Sequence, residues 1–190
     1  MTLKIRLAAV LPLLFVLILA WGCSGPSVFL DRTYDFGFVE KVAVIPLENL
    51  SQSQTAGRQA TLILTTELLA SETFGIVEPG ETAKVLAEIA ARSAQYDLEQ
   101  IKEIGKRLGA QALIFGTVSE ISSARSGGAS VPTVTVELRM VETETGVTVW
   151  AASATRGRLG LWATLFGLAG RSSSEIMRDC VQDLLKTLIK

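Results

Sequence analysis

The sequence contains no histidine. That removes Ser-His-Asp and Cys-His nucleophile arrangements, histidine general-base catalysis and most zinc sites. Its two cysteines, Cys23 and Cys180, make neither a disulfide framework nor a CxxC motif. The phosphate loops Gly-x-x-x-x-Gly-Lys-Ser and Gly-x-Gly-x-x-Gly are both missing. Neither sign of charge dominates: 18 Lys+Arg against 19 Asp+Glu leave a net charge of −1, which gives no electrostatic grip on nucleic acid. Glu137, Glu142 and Glu144 gather in one stretch, but without metal-loop spacing they read as the solvated edge of a hairpin. The residues therefore offer no catalytic group, no cofactor site and no metal ligand, and the chain is read as a non-enzyme. Its 190 residues suffice for one domain with a substantial core.

What is present is concentrated first at the N-terminus. Mean hydropathy is +0.39, and much of the excess lies in Leu7 to Ala20, an uncharged run preceded by Lys4 and Arg6. The run is short for a membrane-spanning helix, which needs about 20 residues, and fits the apolar region of a secretory signal. Leu19-Ala20-Trp21-Gly22-Cys23 resembles a bacterial lipobox. That resemblance implies cleavage before Cys23 and acylation of its thiol, so residues 1–22 are read as a lipoprotein signal peptide. Without cleavage, Leu7 to Trp21 would itself tether the chain. By resemblance to lipoprotein sorting signals, Ser24 after the cysteine implies the periplasmic face of the outer membrane. Residues 23–39 read as a lipidated tether in which Phe29, Tyr34, Phe36 and Phe38 are aromatic enough to dock in part on the domain.

Residues 40–190 form one α/β (α+β) domain in this reading. Lys41 to Leu47 is a β-branched run and a buried strand ending near Pro46. Ser51 or Ser53 caps a helix over about 54–72. A short strand at 74–78 stops at Pro79-Gly80. Two helices follow at 82–92 and 97–108, the second opening on the capping-box spacing Asp97/Gln100 and closing at Gly109. Gln111 to Ile121 holds a buried strand. Thr133 to Val141 alternates cleanly, with Thr135, Glu137 and Arg139 on its polar side. Val147 to Thr155 returns antiparallel. A last helix starts near Ser172 with Cys180 inside its apolar stripe, where it reads as a small buried hydrophobe. The order β-α-β-α-α-β-β-β-α gives a mixed sheet of about four to five strands flanked by about four helices.

Three segments in this order carry a family resemblance. They are Lys41 to Ser51, Ile104 to Val118 and Val136 to Trp150. Together with the lipobox they resemble the CsgG family of curli-secretion lipoproteins and its relatives, the LpoB-type activators of penicillin-binding proteins and the N-terminal domain of TolB. CsgG channels carry two membrane-spanning β-hairpins. The corresponding connections here, Ser122 to Pro132 and Arg156 to Arg171, hold 11 and 16 residues, whereas a spanning hairpin needs roughly 20 or more. The chain thus resembles the family's periplasmic domain without its pore.

The resemblance implies a protein-binding or assembly component of an envelope secretion machine, with envelope proteins and further copies of itself as partners. The alternative it implies is an LpoB-like regulator of peptidoglycan synthase activity. A tether of some 16 residues, reaching at most roughly 55 Å, argues against a regulator that must cross the periplasm. One further segment stands out. Leu159 to Gly170 is uncharged, with Leu159, Leu161, Trp162, Leu165, Phe166 and Leu168 as its apolar residues. Three readings stand for it: a cover for the sheet edge, a subunit contact, or a shallow contact with the membrane.

Overall fold

The computed structural model describes residues 25–89, 96–126, 129–157 and 171–189. Chain order is β1 (Ser27–Leu30), a 3₁₀ turn (Phe36–Phe38), β2 (Lys41–Val44), β3 (Glu48–Asn49), α1 (Ala56–Ser71), β4 (Gly75–Ile76), α2 (Pro79–Ile89), α3 (Leu98–Leu108), β5 (Ala112–Ser126), β6 (Ala129–Glu142), β7 (Thr148–Arg156) and α4 (Ser173–Leu188). The strands form one mixed sheet in the order β1-β7-β6-β5-β2-β4, with β3 also paired to β5. β2 runs parallel to β4 and β5, while β5, β6, β7 and β1 are successively antiparallel. The expected α+β class holds. The described sheet has seven strands, more than the four to five expected, because β1 and β3 are additional pieces.

Strand alternation explains the layers. Val42 and Val44 enter the core beneath α1 and α4, and Ala43 enters the core beneath α2 and α3. The first core holds Leu64 and Leu68 of α1, Met140 and Trp150 of the meander, and Met177, Cys180 and Leu184 of α4. The second is smaller, built from Val85 of α2, Ile101, Ile104 and Leu108 of α3, and Leu113, Phe115 and Val141 beneath them.

Local signals account for most helix ends. Asp97 and Gln100 form the expected reciprocal capping box, and Gly109 closes α3 at φ +60°, a conformation that a side chain would strain. Ser172 and Glu175 form a second capping box at the start of α4. α2 begins at Pro79 rather than Thr82, because proline at a first helical position gives up no hydrogen bond. Neither Ser51 nor Ser53 caps α1; its N-cap is Thr55, whose side chain makes no capping bond, and the Ser51 hydroxyl donates to Asn49 instead.

Three expectations change. Pairing does not stop at Pro46: it pauses there and resumes in β3, where Glu48 and Asn49 align with Thr117 and Val118. Ser122 to Pro132, read from the sequence as a connection, is largely strand, since the β5–β6 ladder continues out to the pair Ser126/Ala129. Its outer part is a two-stranded ribbon, because β7 stops opposite Val134 and β3 opposite Val118. Finally, most of the stretch read as a tether is folded. β1 pairs with β7 through all four of its residues, Val39 is buried, and Leu30, Tyr34 and Phe36 pack on the larger core.

The contact between α3 and the β6–β7 turn is close enough to test. A Cβ on Gly105 would lie 2.4–2.9 Å from the side-chain atoms of Thr143. Thr143 cannot withdraw cheaply, since its hydroxyl donates to the carbonyls of Ala110 and Gln111 at 3.0 Å each. Gly105→Ala should therefore destabilise the domain by about 1–3 kcal/mol, seen as a lower urea midpoint with an unchanged slope. An unaltered midpoint would mean that α3 shifts freely on the sheet.

Candidate functional site

The proposed lipidation residue, Cys23, lies outside the described residues, as do Leu159, Leu161, Trp162, Leu165, Phe166 and Leu168. Cys180 sits where its apolar stripe placed it. It is fully buried on α4, its thiol contacts the carbonyl of Val134 at 3.5 Å, and burial pushes its pKa up to about 12, so it is no nucleophile at neutral pH. Of the three carboxylates read as a hairpin edge, Glu142 accepts from the Thr145 hydroxyl. The phenol of Tyr34 is pushed up to about 12, by burial first and by Glu142 second. Glu144 is exposed. Among the described residues, no group of three or more metal-ligating side chains converges.

Glu137 has a different setting, created by how the second face of the sheet is covered. α2 packs on β2 and α3 on β5. No helix among the described residues lies over the outer part of β5, β6, β7 and β1 on that side. Register brings two cross-strand rows together there. One aligns Phe115 with Arg139, Ala151 and Phe29. The other aligns Thr117 with Glu137, Ser153 and Ser27, with Glu48 beside Thr117 on β3. With Ile45, Pro46 and Tyr96 these residues line a groove of about 880 Å³.

The groove has an aromatic end and a carboxylate end. The ring of Phe115 is tilted against Tyr96 at a centroid distance of 5.5 Å, and Arg139 Cζ lies 4.6 Å from the Phe115 centroid. This stacking occupies one face of the guanidinium and leaves its N–H edge available. Arg139 is half-buried, desolvation lowers its pKa, and it forms no salt bridge among the described residues. Phe29 is 54 % exposed on the edge strand opposite. Between them β7 contributes only small residues, Ala151, Ala152 and Ser153, so the floor is low. At the other end Glu137 is exposed and accepts from the Ser119 hydroxyl at 3.0 Å. Alternation in Thr133 to Val141 places Arg139 and Glu137 on one side, but the pairing of Arg139 with Phe115 depends on long-range register. The signal that was available is the helix count: the about four helices expected from the sequence are few for both faces of a wide sheet.

Several carboxylates elsewhere are held below their usual range. Glu175 is held there by the backbone N–H of Ser172 and then by its hydroxyl; Glu88 by hydrogen bonding and charge from Arg107. In Asp183 burial acts upward but is outweighed by Lys186 and Arg156, the latter at 2.6–2.7 Å. A depressed folded pKa contributes stability above the unfolded value of about 4 and loses it as pH falls through the folded value. The melting temperature should therefore be flat near neutrality and drop below about pH 4. Asp183→Asn should remove part of that acid dependence; identical acid profiles would exclude the pair as a contributor.

Among the described residues, a mixed sheet with one face closed by helices and the other partly uncovered defines an α+β domain with a groove on its second face. Residues 35–155 match the family model described as peptidoglycan-synthase activator LpoB. The chain belongs to that family. A search of curated proteins gives no match. Among solved structures, it resembles the PelC dodecamer from Paraburkholderia phytofirmans at 17 % identity and a TM-score of 0.60, covering 87 % of this chain and 98 % of that one. It also resembles lipoprotein GNA1162 from Neisseria meningitidis at 18 % identity and a TM-score of 0.53, covering 78 % and 97 %. At such identities these likenesses show the fold. Family membership favours the regulator of peptidoglycan synthesis over the secretion component that stood first in the sequence reading. Among the described residues, no helix is long and apolar enough to cross a membrane.

Proposed function

We propose that this chain is a lipoprotein of the outer membrane, anchored through Cys23 on the periplasmic side, that activates a peptidoglycan synthase by direct contact and catalyses no reaction itself. The match of residues 35–155 to the synthase-activator family carries this reading. The lipobox-like run ending at Cys23 supports the anchor.

The anchor fixes where contact takes place. β1 starts at Ser27, four residues after Cys23, and is hydrogen-bonded into the sheet. That spacing reaches about 14 Å at full extension, far less than the tether the sequence alone allowed. A domain held so close to its leaflet does not cross the periplasm. The synthase must bring its own periplasmic part to the outer membrane.

The same short spacing favours a second reading, a membrane-hugging assembly component that works as a homo-oligomer. The PelC structure of similar fold is a dodecamer. Affinity capture of the lipidated chain from crosslinked envelopes separates the two readings. Recovery of a peptidoglycan synthase is expected. Recovery of a secretion or assembly complex without any synthase would replace the first reading by the second.

A further inference from the structure

The groove on the second sheet face holds charges that no opposite charge among the described residues neutralises. Arg139 stacks on Phe115, is half removed from water and has no carboxylate partner among the described residues. A guanidinium so placed is a site for a carboxylate, which it can hold through two parallel N–H bonds. Two residues along β6, on the same face, stands Glu137, with Glu48 two strands away in the same row. Same-face neighbours on a strand are spaced by about 7 Å. The groove therefore presents one cation and, a single row further, carboxylates that accept from an ammonium or amide. Apolar surface borders the cation: Phe115 and Tyr96 on one side, exposed Phe29 on the other. The volume of about 880 Å³ lies within the range of small-ligand sites, about 300–1,000 Å³, and the low floor of Ala151 and Ser153 leaves room between the walls.

We propose that this groove binds a short amphoteric peptide, with a free carboxylate on Arg139, an ammonium or amide on Glu137 or Glu48, and an apolar portion against Phe29 and Phe115. A purely anionic ligand would meet repulsion from the two glutamates, and a purely cationic one would meet Arg139. An oily surface would desolvate all three charges without supplying any an opposite charge. Charge complementarity thus selects a ligand that carries both signs a few ångströms apart. The site borders the smaller helix-covered core at Phe115 and Ile45 and makes no use of the anchor.

The test uses the full-length chain in detergent micelles and a peptidoglycan stem tetrapeptide, which carries free carboxylates and a free amine. Only this choice of probe rests on the proposed function. Titration calorimetry is run with the free peptide and with its carboxylates amidated, on wild type and on Arg139→Gln. Saturable binding to wild type is expected, at least tenfold weaker for the amidated peptide. Arg139→Gln should weaken the free peptide by a similar factor and leave the amidated peptide unchanged, a pattern that general loss of structure does not produce. No binding to wild type at millimolar peptide, or equal binding of the two peptide forms, overturns the proposal. So does a change of oligomeric mass in Arg139→Gln with no peptide binding to wild type, because the groove is then a subunit contact. Synthase activation is assayed without peptide, so failure of either claim is read separately.

Discussion

Trp150→Ala is expected to cost about 3–5 kcal/mol, a large part of the roughly 5–15 kcal/mol that holds a typical domain together. Trp150 is fully buried on β7, within the core beneath α1 and α4. Its indole N–H donates to the Thr187 hydroxyl at 3.0 Å, which ties the sheet to the end of α4. Across the ladder it pairs with Leu30 of β1, so its loss also loosens the strand nearest the proposed anchor. Urea unfolding should show a much lower midpoint, and hydrogen exchange should rise first in Ser27–Leu30. Trp150→Phe keeps most of the apolar volume and loses the hydrogen bond, and should cost on the order of 1 kcal/mol. A loss below about 1 kcal/mol for Trp150→Ala would contradict the assignment of this residue to the core.

The second large effect concerns the anchor. Cys23→Ser should abolish incorporation of radiolabelled palmitate and leave the precursor uncut, retaining residues 1–22. Each buried methylene of an acyl chain contributes about 0.8 kcal/mol, and two or more chains make attachment stable. Removing the thiol removes all of it in one step. The uncut variant would be held only by the apolar run Leu7 to Trp21, so fractionation should show it with the inner membrane. Unchanged palmitate labelling in Cys23→Ser would remove the lipoprotein assignment.

Local patterns in the sequence carried most of the fold. The Asp97/Gln100 capping box, Gly109 at the end of α3 and Cys180 inside the α4 stripe each depend on residues within one turn or one helix face, and each is found where the pattern puts it. Features set by distant partners were not legible. β1 has three exposed residues in four and no alternation; only its ladder to β7 makes it a strand. The Ser- and Gly-rich stretch beyond Ile121 has loop composition and becomes strand because β5 and β6 extend each other. The groove depends on register over a still longer path. Arg139 meets Phe115 across a ladder that carries an irregularity between Val118 and Glu120. A one-residue slip there would send Arg139 to the opposite face. Composition alone described it only as a polar position on a strand.

The proposed activation of a peptidoglycan synthase is read from glycan polymerisation by a purified synthase from the same cell. The lipidated protein is added in stoichiometric amount to synthase and lipid-linked precursor in the same detergent. Glycan formation should speed up and saturate near one binding equivalent, while the protein alone forms no glycan. An unchanged rate for every synthase of the cell, with no complex detected by sedimentation, would contradict it.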